Sequence, residues 1–345
     1  MRNNMHKKKR PLGKRIDCLP VRIFAAAVFF MVFALVLLPF YLVSCLHFED
    51  KVSLKANTVN QFITLYRSRD GKTMTLELEA YVAGVVAGEM PAAFETEALK
   101  AQAVAARTYA LSKTIRGAEV GNPDEHPLTP LCDSTHCQVY RNEEELAGLK
   151  GKTWMNGSWQ KIRQAVSDTA GEVMYYEGTL VEQPLFHSSS GGKTENSEDV
   201  FVSALPYLRS VESPFEGEAP YQNERISVSV AAFDKMAKEK FGAVKINPNT
   251  IKIKSRSEGG RVKEIQVGDK ILSGREIRDL LGLRSADFSL AFDGNDNIIF
   301  TTHGYGHGVG MSQWGANGMA KAGYRYKEIL QHYYLGITVK QYGML

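Results

Sequence analysis

The sequence is poor in cysteine and lacks patterns that mark several classes of protein. It has four cysteines in 345 residues, and we find no internal repeat. No basic patch interleaved with aromatic residues occurs in the main body, so nothing indicates nucleic acid as a partner. The formal net charge of +4 is concentrated at the amino terminus, where basic residues crowd positions 7 to 15. The remainder is close to neutral, and its composition is that of an ordinary globular protein.

A long apolar segment follows the basic tail. Residues 23–46 carry no charge and are numerous enough to cross a bilayer as a helix. The positive-inside rule predicts a cytoplasmic tail over 1–22, one transmembrane helix over 23–46, and an extracytoplasmic remainder. The apolar run is longer than that of a usual signal peptide, and no small-x-small cleavage site stands out. A second interpretation stays open, because residues 42–45 are similar to a lipoprotein box with Cys45 as the lipid anchor.

The body combines hairpin and helix patterns. A polar linker covers 47–61, and an Asp70-Gly71 turn between two alternating stretches predicts a β-hairpin after it. Two helices are expected on either side of Pro91. The region from Gly117 to Asn156 is interpreted as rich in loops, and the segment from Tyr176 to Ser190 as one strand.

The later part of the body carries a strand and helix insertion around 222–290. Gly259-Gly260 predicts a hairpin turn within it. Ser273 and Glu276 form the sequence signature of a capping box, so a helix is expected to begin at Gly274. Strands and helices do not alternate regularly, which favours an α+β fold for the extracytoplasmic body over 62–345.

One carboxylate, Glu89, stands where we expect chemistry. It follows an apolar run with valines at helical spacing and precedes Met90-Pro91, so it is expected in the last turn of a helix. Apolar surroundings and a helix C-terminus both raise the pKa of a carboxyl group. Such a group is suited to general acid catalysis near neutral pH. The alternative is an ordinary solvated glutamate at a helix end.

A cysteine and histidine cluster lies in the loop-rich region. Cys132 and Cys137 are the two cysteines of the body, and His126 and His136 flank them. In an extracytoplasmic compartment a nearby pair is first interpreted as a disulfide. His126, Cys132 and Cys137 also form a set that suits a structural zinc ion, although the spacing fits no standard zinc finger. Zinc, a disulfide and free thiols therefore remain three open interpretations.

A glycine-rich segment, HGYGHG over 303–308, is the second histidine cluster. Two histidines four apart would share a helix face, but the glycines disfavour a helix. We therefore expect a structural or substrate-contacting loop rather than a metal site.

Four stretches together resemble the sporulation protein D and amidase enhancer family. They are GEMPAAFETEALKAQAVAARTYA, FHSSSGGKTENSEDVF, LSGREIRDLLGLRSADF and THGYGHGVGMSQWGANGMAKAG. The resemblance covers about 62–334 and implies a membrane-anchored peptidoglycan lytic transglycosylase, with Glu89 at the position of the family's catalytic glutamate. It implies cleavage between N-acetylmuramic acid and N-acetylglucosamine, preferably in strands that lack stem peptides, and no cofactor for catalysis.

The resemblance also implies a place and partners. The implied role is septal wall remodelling during forespore engulfment, on the mother-cell side of the sporulation septum. The implied partners are sporulation membrane proteins P and M of the same stage. Arg107 is expected to hold the cleft or meet a substrate carboxylate, because a cation directly against Glu89 would lower its pKa. The residues expected to contact substrate are Gln102, Arg107, His187, Ser188, Ser189, His303, Tyr305, His307 and Gln313.

Two other classes of function stay open. Relatives of this family enhance wall amidases, so the body is alternatively a non-catalytic wall-binding activator. A zinc hydrolase that uses His303 and His307, or the Cys132 cluster, is the third interpretation.

Overall fold

The computed structural model describes residues 61–242, 246–294 and 296–343. The predicted transmembrane segment over 23–46 and the lipoprotein-like Cys45 lie outside these residues. Within the described ranges, no helix combines the length and the apolar character needed to cross a bilayer. Helices and several small sheets are mixed along the chain, which confirms the predicted α+β class.

The strands and helices alternate irregularly along the body. The strands are β1 (Phe62–Arg67), β2 (Lys72–Glu77), β3 (Leu131–Cys132), β4 (Glu172–Tyr176), β5 (Thr179–Leu180), β6 (Phe186–His187), β7 (Gln222–Ser229), β8 (Ile251–Arg256), β9 (Val262–Val267), β10 (Lys270–Leu272), β11 (Phe288–Phe292), β12 (Asn297–His303), β13 (Met311–Ser312) and β14 (Ile337–Gln341). The helices are α1 (Leu78–Glu89), α2 (Thr96–Val120), α3 (Glu143–Trp154), α4 (Gln160–Asp168), α5 (Ser197–Val200), α6 (Val230–Phe241), α7 (Gly274–Leu281), α8 (Gln313–Lys321) and α9 (Tyr326–Tyr333).

Helix α2 lies at the centre of the main hydrophobic core. Leu99, Ala103, Ala106 and Ala110 on one of its faces are fully buried, as their helical spacing predicts. Alanines on this face allow neighbouring elements to approach closely, and α1, α4, β4, α8 and α9 all pack against α2. The predicted β1–β2 hairpin is confirmed, and β3 pairs with β1 in parallel. This arrangement brings early and late elements of the described residues around one helix.

One prediction about the middle of the chain is confirmed in part, and another is wrong. The region from 117 to 156 is rich in loops between 121 and 142, where β3 is the one regular element, but α3 follows and begins with a capping box between Asn142 and Glu145. The single strand predicted from Tyr176 to Ser190 is three short strands. Glu177 and Gly178 have φ of 50° and 82°, which makes a tight two-residue hairpin between β4 and β5.

A second hydrophobic core is formed by residues from the later part of the chain. Its fully buried members include Phe233, Ile265, Ile277 and Phe300, contributed by α6, β9, α7 and β12. The predicted capping box is confirmed, since Ser273 Oγ accepts the Glu276 N–H and the Glu276 carboxylate accepts the Ser273 N–H. Most of this core comes from the predicted insertion around 222–290, and Ile298 and Phe300 of β12 extend it beyond that range.

Candidate functional site

Glu89 is the last residue of α1, as the sequence predicts. The helix ends there because Met90 is extended and Pro91 follows it. The Glu89 side chain is half-buried, and its Oε1 accepts a 2.6 Å hydrogen bond from the Val139 backbone N–H. Burial raises the pKa of Glu89, and hydrogen bonds from Val139 and the Gln313 side chain oppose the shift without cancelling it. The carboxyl group therefore holds its proton to higher pH than a solvated glutamate.

Two glycines of α1 allow the segment 138–141 to reach Glu89. A Cβ at Gly88 would overlap the Val139 carbonyl oxygen, and one at Gly84 would overlap the Tyr140 ring and the Arg141 carbonyl oxygen. The Arg141 N–H also donates to the Gly84 carbonyl at 3.3 Å. The close backbone approach that places the Val139 donor against Glu89 therefore requires glycine at both positions.

Gln313 lies beside the carboxyl group, and Gln102 lies beside Gln313. Gln313 begins α8, whose N-cap Ser312 accepts the Gly315 N–H at 3.1 Å. The Gln313 Nε2 lies 3.4 Å from Gln102 Oε1 on α2. Gln102 is fully buried, and its Nε2 has no hydrogen-bond partner among the described residues. The structure thus brings two of the predicted substrate-contacting residues together with Glu89.

Aromatic side chains that sequence reasoning missed lie next to this site. Trp314 follows Gln313 directly and packs edge-on against Phe94, with ring centroids 4.8 Å apart. Beside it, a groove of about 240 Å³ is lined by Phe215, Trp314, Asn317 and Lys321. Apolar lining with a few polar groups is typical of ligand sites. The sequence offers one signal for Trp314, because this residue directly follows Gln313 in the last of the four stretches that carry the family resemblance.

Arg107 does not lie at the surface of the site. It is fully buried, and its guanidinium forms a bidentate pair with Glu79, with Nε–Oε1 2.8 Å and NH2–Oε2 2.6 Å. Its NH1 donates to the Glu172 carbonyl oxygen at 3.0 Å. The prediction that Arg107 contacts substrate is corrected accordingly, because its charge and its donors are taken up inside the main core. The prediction that it does not pair with Glu89 agrees with this geometry.

The two remaining predicted loops contact each other. Ser189 and Tyr305 exchange backbone hydrogen bonds of 3.0 and 2.9 Å. The rings of His187 and His307 lie 5.5 Å apart, and burial, reinforced by neighbouring positive charge, lowers the pKa of both, that of His307 to about 4. Ser189 is fully buried. His187, Ser189 and His307 therefore form neutral, packed contacts between the loops.

The exposed side of these loops carries Ser188, His303 and Tyr305, all half-buried. The Ser188 carbonyl accepts the Trp314 N–H at 3.0 Å, which joins this loop pair to the start of α8. Tyr305 packs edge-on against Tyr221, and Arg284 lies over both rings. Solvent reaches these three residues, and it also reaches part of the half-buried His307.

His307 does not offer a nitrogen to a metal ion. Its Nε2 donates to the Phe186 carbonyl at 3.0 Å, and its Nδ1 accepts the Val309 N–H at 3.1 Å. The glycines around it adopt the left-handed region, with φ of 113° at Gly306 and 86° at Gly308, so the segment is not helical. The interpretation as a zinc hydrolase built on His303 and His307 is therefore wrong.

The cysteine and histidine cluster is compact and has a fourth member. His126, Cys132, His136 and Cys137 offer ligand atoms that all lie within 4.8 Å of one another, the one such group among the described residues. Cys132 and Cys137 are free thiols, so the disulfide interpretation does not hold in this structure. Sequence reasoning named His136 as a neighbour but left it out of the ligand set.

The spacing of these atoms fits one tetrahedral ion. His126 Nε2 lies 3.2 Å from His136 Nδ1 and 3.4 Å from Cys137 Sγ, and Cys132 Sγ lies 3.8 Å from His136 Nδ1. Ligands at about 2.0 to 2.3 Å from a shared zinc are separated by distances of this size. His126 also has its other nitrogen, Nδ1, 2.8 Å from the Thr129 carbonyl, which fixes the ring. Hydrogen bonding from Cys137, and further from Ser134 and His136, lowers the pKa of Cys132 to about 4.

Comparison with known proteins assigns the chain to a family. A stage II sporulation protein family model matches residues 66–176. The chain is 40% identical over 292 residues to stage II sporulation protein D of Bacillus subtilis, covering 84% of this chain and 81% of that protein. The chain belongs to the stage II sporulation protein D family. A Bacillus amyloliquefaciens protein of the same name is 38% identical over 290 residues, with the same 84% and 81% coverage.

A more distant relative carries a different name. The chain is 28% identical over 309 residues to the amidase enhancer of Bacillus subtilis, which covers 75% of this chain and 40% of that protein. The resemblance predicted from the four motifs is thus confirmed at the level of the family.

Proposed function

We propose that the protein is a lytic transglycosylase of peptidoglycan. It cleaves the bond between N-acetylmuramic acid and N-acetylglucosamine in peptide-free strands and leaves 1,6-anhydro ends. The observation that carries the proposal is the half-buried Glu89 carboxyl group with its raised pKa, held between the Val139 N–H and Gln313. A carboxyl group that holds its proton to higher pH than a solvated one is suited to protonating a glycosidic oxygen.

Glu89 acts first as an acid and then as a base. Its proton goes to the glycosidic oxygen, the bond from that oxygen to C1 of muramic acid breaks, and an oxocarbenium-like transition state forms. The Glu89 carboxylate then takes the proton from the C6 hydroxyl of the same sugar, whose oxygen bonds to C1. Glu89 ends protonated, and no water is consumed.

A single carboxylate suffices for this reaction. Hydrolytic glycosidases pair the acid with a second carboxylate that serves as nucleophile or base. Within the described ranges, burial, Val139 and Gln313 are the influences on the Glu89 pKa, and no second carboxylate is among them. Intramolecular attack by the C6 hydroxyl replaces that group, because it supplies the nucleophile at high effective molarity.

Neighbouring groups supply binding. The Gln102 Nε2 and the Gln313 amide bind hydroxyl or acetamido groups of the strand, since a buried donor such as Gln102 Nε2, which has no partner among the described residues, gains most from a ligand. Trp314 and Phe215 in the adjoining groove pack against the apolar faces of sugar rings. The half-buried Ser188, His303 and Tyr305 extend the binding surface from the start of α8.

We propose a structural zinc ion at His126, Cys132, His136 and Cys137. With four protein ligands the ion supplies cross-linking and leaves no open position for catalysis. Cys137 stands two residues before Val139, so the cluster fixes the segment that donates to Glu89.

The proposed setting is the cell membrane. An N-terminal span over 23–46, with a cytoplasmic amino terminus, holds the body outside the membrane on the mother-cell side of the sporulation septum. There it remodels septal wall during engulfment with membrane proteins P and M of the same stage. The family membership and the names of the relatives support a role in sporulation.

A second candidate function is a non-catalytic activator of a wall amidase. The similarity to the amidase enhancer favours it. Under this alternative the Glu89 side chain is dispensable, and the grooves around α8 bind wall or amidase only.

The two candidates are separated by one substitution in the full-length protein. Glu89→Gln keeps the shape and the acceptor for Val139 but cannot donate a proton, so the enzyme hypothesis predicts loss of glycan cleavage by at least a hundredfold. The matched control is Glu144→Gln, an exposed glutamate in the first turn of α3, which should cleave like the wild type. The activator would be favoured if neither the wild type nor Glu89→Gln cleaved glycan and both stimulated an amidase to the same extent.

A further inference from the structure

A pocket rich in arginine lies between the two hydrophobic cores. It has a volume of about 200 Å³. Val200 on its wall packs against the main core, and Val262 belongs to the second core. We refer to it as the arginine pocket, and its charged lining residues are Glu195, Asp199, Arg261, Lys263, Arg275 and Arg278.

The positive charges of the arginine pocket exceed its negative ones. Lys263 Nζ lies 3.0 Å from Asp199, and Arg261 NH1 lies 3.4 Å from Glu195, so both carboxylates are paired. Arg275 and Arg278 project from one face of α7 at a spacing of three residues. In the described part of the chain neither forms an ion pair, and their hydrogen bonds go to backbone carbonyl groups. Two positive charges therefore remain without a carboxylate.

Arg261 adds an unsatisfied donor inside the pocket. It is only 4% exposed, and its Nε has no hydrogen-bond partner among the described residues. A buried donor without a partner costs free energy that a bound anion would recover. The planar fork of an arginine matches the two oxygens of a carboxylate or phosphate.

The local electrostatics agree with an anion site. Burial lowers the pKa of Arg278, and although Asp279 opposes this, the charges of Arg261 and Arg275 reinforce it. His307 on the pocket wall is neutral, because burial and then Arg261 lower its pKa to about 4. Burial is the largest cause of both pKa shifts, and only the smaller contributions of Arg261 and Arg275 report positive charge around the pocket.

The pocket is large enough for a substituent of a sugar but too small for a whole sugar. Pockets that enclose complete small ligands usually exceed about 300 Å³. The wall also connects to Glu89 through the chain, since His307 stands six residues before Gln313 and can lie at most about 20 Å from it. A group bound in the arginine pocket is thus within reach of the strand that Glu89 contacts.

We propose that the arginine pocket binds the free lactyl carboxylate of a muramic acid residue. The inference rests on the proposed function and deepens it. Attachment of a stem peptide converts this carboxylate into an amide, which removes its charge and adds bulk that the pocket does not accommodate. Arg261, Arg275 and Arg278 thereby select strands that have lost their peptides.

The test measures equilibrium binding of full-length protein to peptide-free glycan strands, with free or chemically amidated lactyl groups. Wild-type protein should bind the amidated strands about tenfold more weakly. Arg278→Gln should lose about tenfold on the free strands and nothing further on the amidated ones, because both changes remove the same interaction. Arg278→Lys should recover part of the loss, since it keeps the charge without the fork.

Arg225→Gln is the matched control, an exposed arginine on β7 that does not line the pocket, and it should bind both strands like the wild type. Equal wild-type affinity for both strands, or equal losses in Arg225→Gln and Arg278→Gln, would overturn the proposal. If inorganic phosphate competed with strand binding but amidation of the lactyl groups had no effect, the pocket would be assigned to a phosphate-bearing polymer. That result would overturn the proposal that the pocket binds the lactyl carboxylate. Binding is read without cleavage, so strands that are bound selectively but never cut would contradict the proposed function and leave this proposal standing.

Discussion

Two glutamates of α1, Glu79 and Glu89, have opposite environments. Glu79 is buried and forms a bidentate ion pair with Arg107, and its Oε1 also accepts the Gly171 N–H at 3.1 Å. Among the described residues no cation pairs with Glu89, and burial raises its pKa. One carboxylate therefore serves the core, and the other is suited to proton transfer.

Glu89→Gln should stabilise the protein at neutral pH. Because the folded-state pKa of Glu89 is raised, ionisation costs the folded state stability as the pH rises above the ordinary carboxyl range, and the neutral amide avoids this cost. We expect a gain of about 1 kcal/mol in the free energy of unfolding near pH 8. The difference should vanish near pH 4, measured by thermal unfolding of both proteins. A gain that is the same at both pH values would mean that ionisation of Glu89 is not its cause.

Arg107→Met should destabilise the fold by about 3 to 5 kcal/mol, because it leaves the buried Glu79 carboxylate without its partner. Urea unfolding of the double variant Glu79→Gln with Arg107→Met should recover much of this loss. If Arg107 instead contacted substrate, the single variant would unfold like the wild type and lose only glycan affinity.

At the level of elements, the site depends on the docking of segment 138–141 onto α1. The sequence predicts α1, its end at Pro91 and the buried face of α2, because these follow from local spacing and proline chemistry. It does not predict the Val139 donor, which lies fifty residues from Glu89 in the chain, or the pairing of Arg107 with Glu79. Such contacts depend on which surfaces meet in three dimensions, and periodicity within one element carries no information about that.

Gly88→Ala should impair cleavage through this docking. The added methyl group overlaps the Val139 carbonyl oxygen, which is backbone and moves only if the segment shifts, at a cost of about 1 to 3 kcal/mol. Cleavage rate and thermal unfolding should both fall. Gly148→Ala in α3 is the control, because no atom lies within 4 Å of its Cβ and alanine favours the helix. Equal effects of both substitutions would argue against the docking.

Removal of metal should loosen the same segment. If His126, Cys132, His136 and Cys137 hold zinc, a strong chelator should lower the melting temperature and release one zinc per chain, measured by metal analysis. Cys132→Ser should resemble the chelated wild type and respond no further. A wild-type preparation that contains no zinc and melts unchanged with chelator would contradict the metal site.

At the scale of the whole molecule, the two hydrophobic cores support different parts of the proposed function. The main core around α2 holds Glu89, Gln102 and Gln313, and the second core presents the arginines that we assign to substrate selection. The sequence predicted the α+β class and the capping box at Ser273. It did not predict the arginine pocket, because Arg261, the α7 arginines and Glu195 come to line one pocket only through packing in three dimensions.

The central claim is that Glu89 transfers a proton twice and that no water enters the product. The measurement that tests it most directly is mass spectrometry of peptide-free glycan digested by full-length wild-type protein in ¹⁸O-labelled water, with Glu89→Gln alongside. The account predicts wild-type products with unlabelled 1,6-anhydro ends, about 20 Da lighter than ends hydrolysed in that water, and none from the variant. New fragments that end in a labelled reducing sugar in place of the anhydro end, or anhydro ends formed equally by Glu89→Gln, would contradict it.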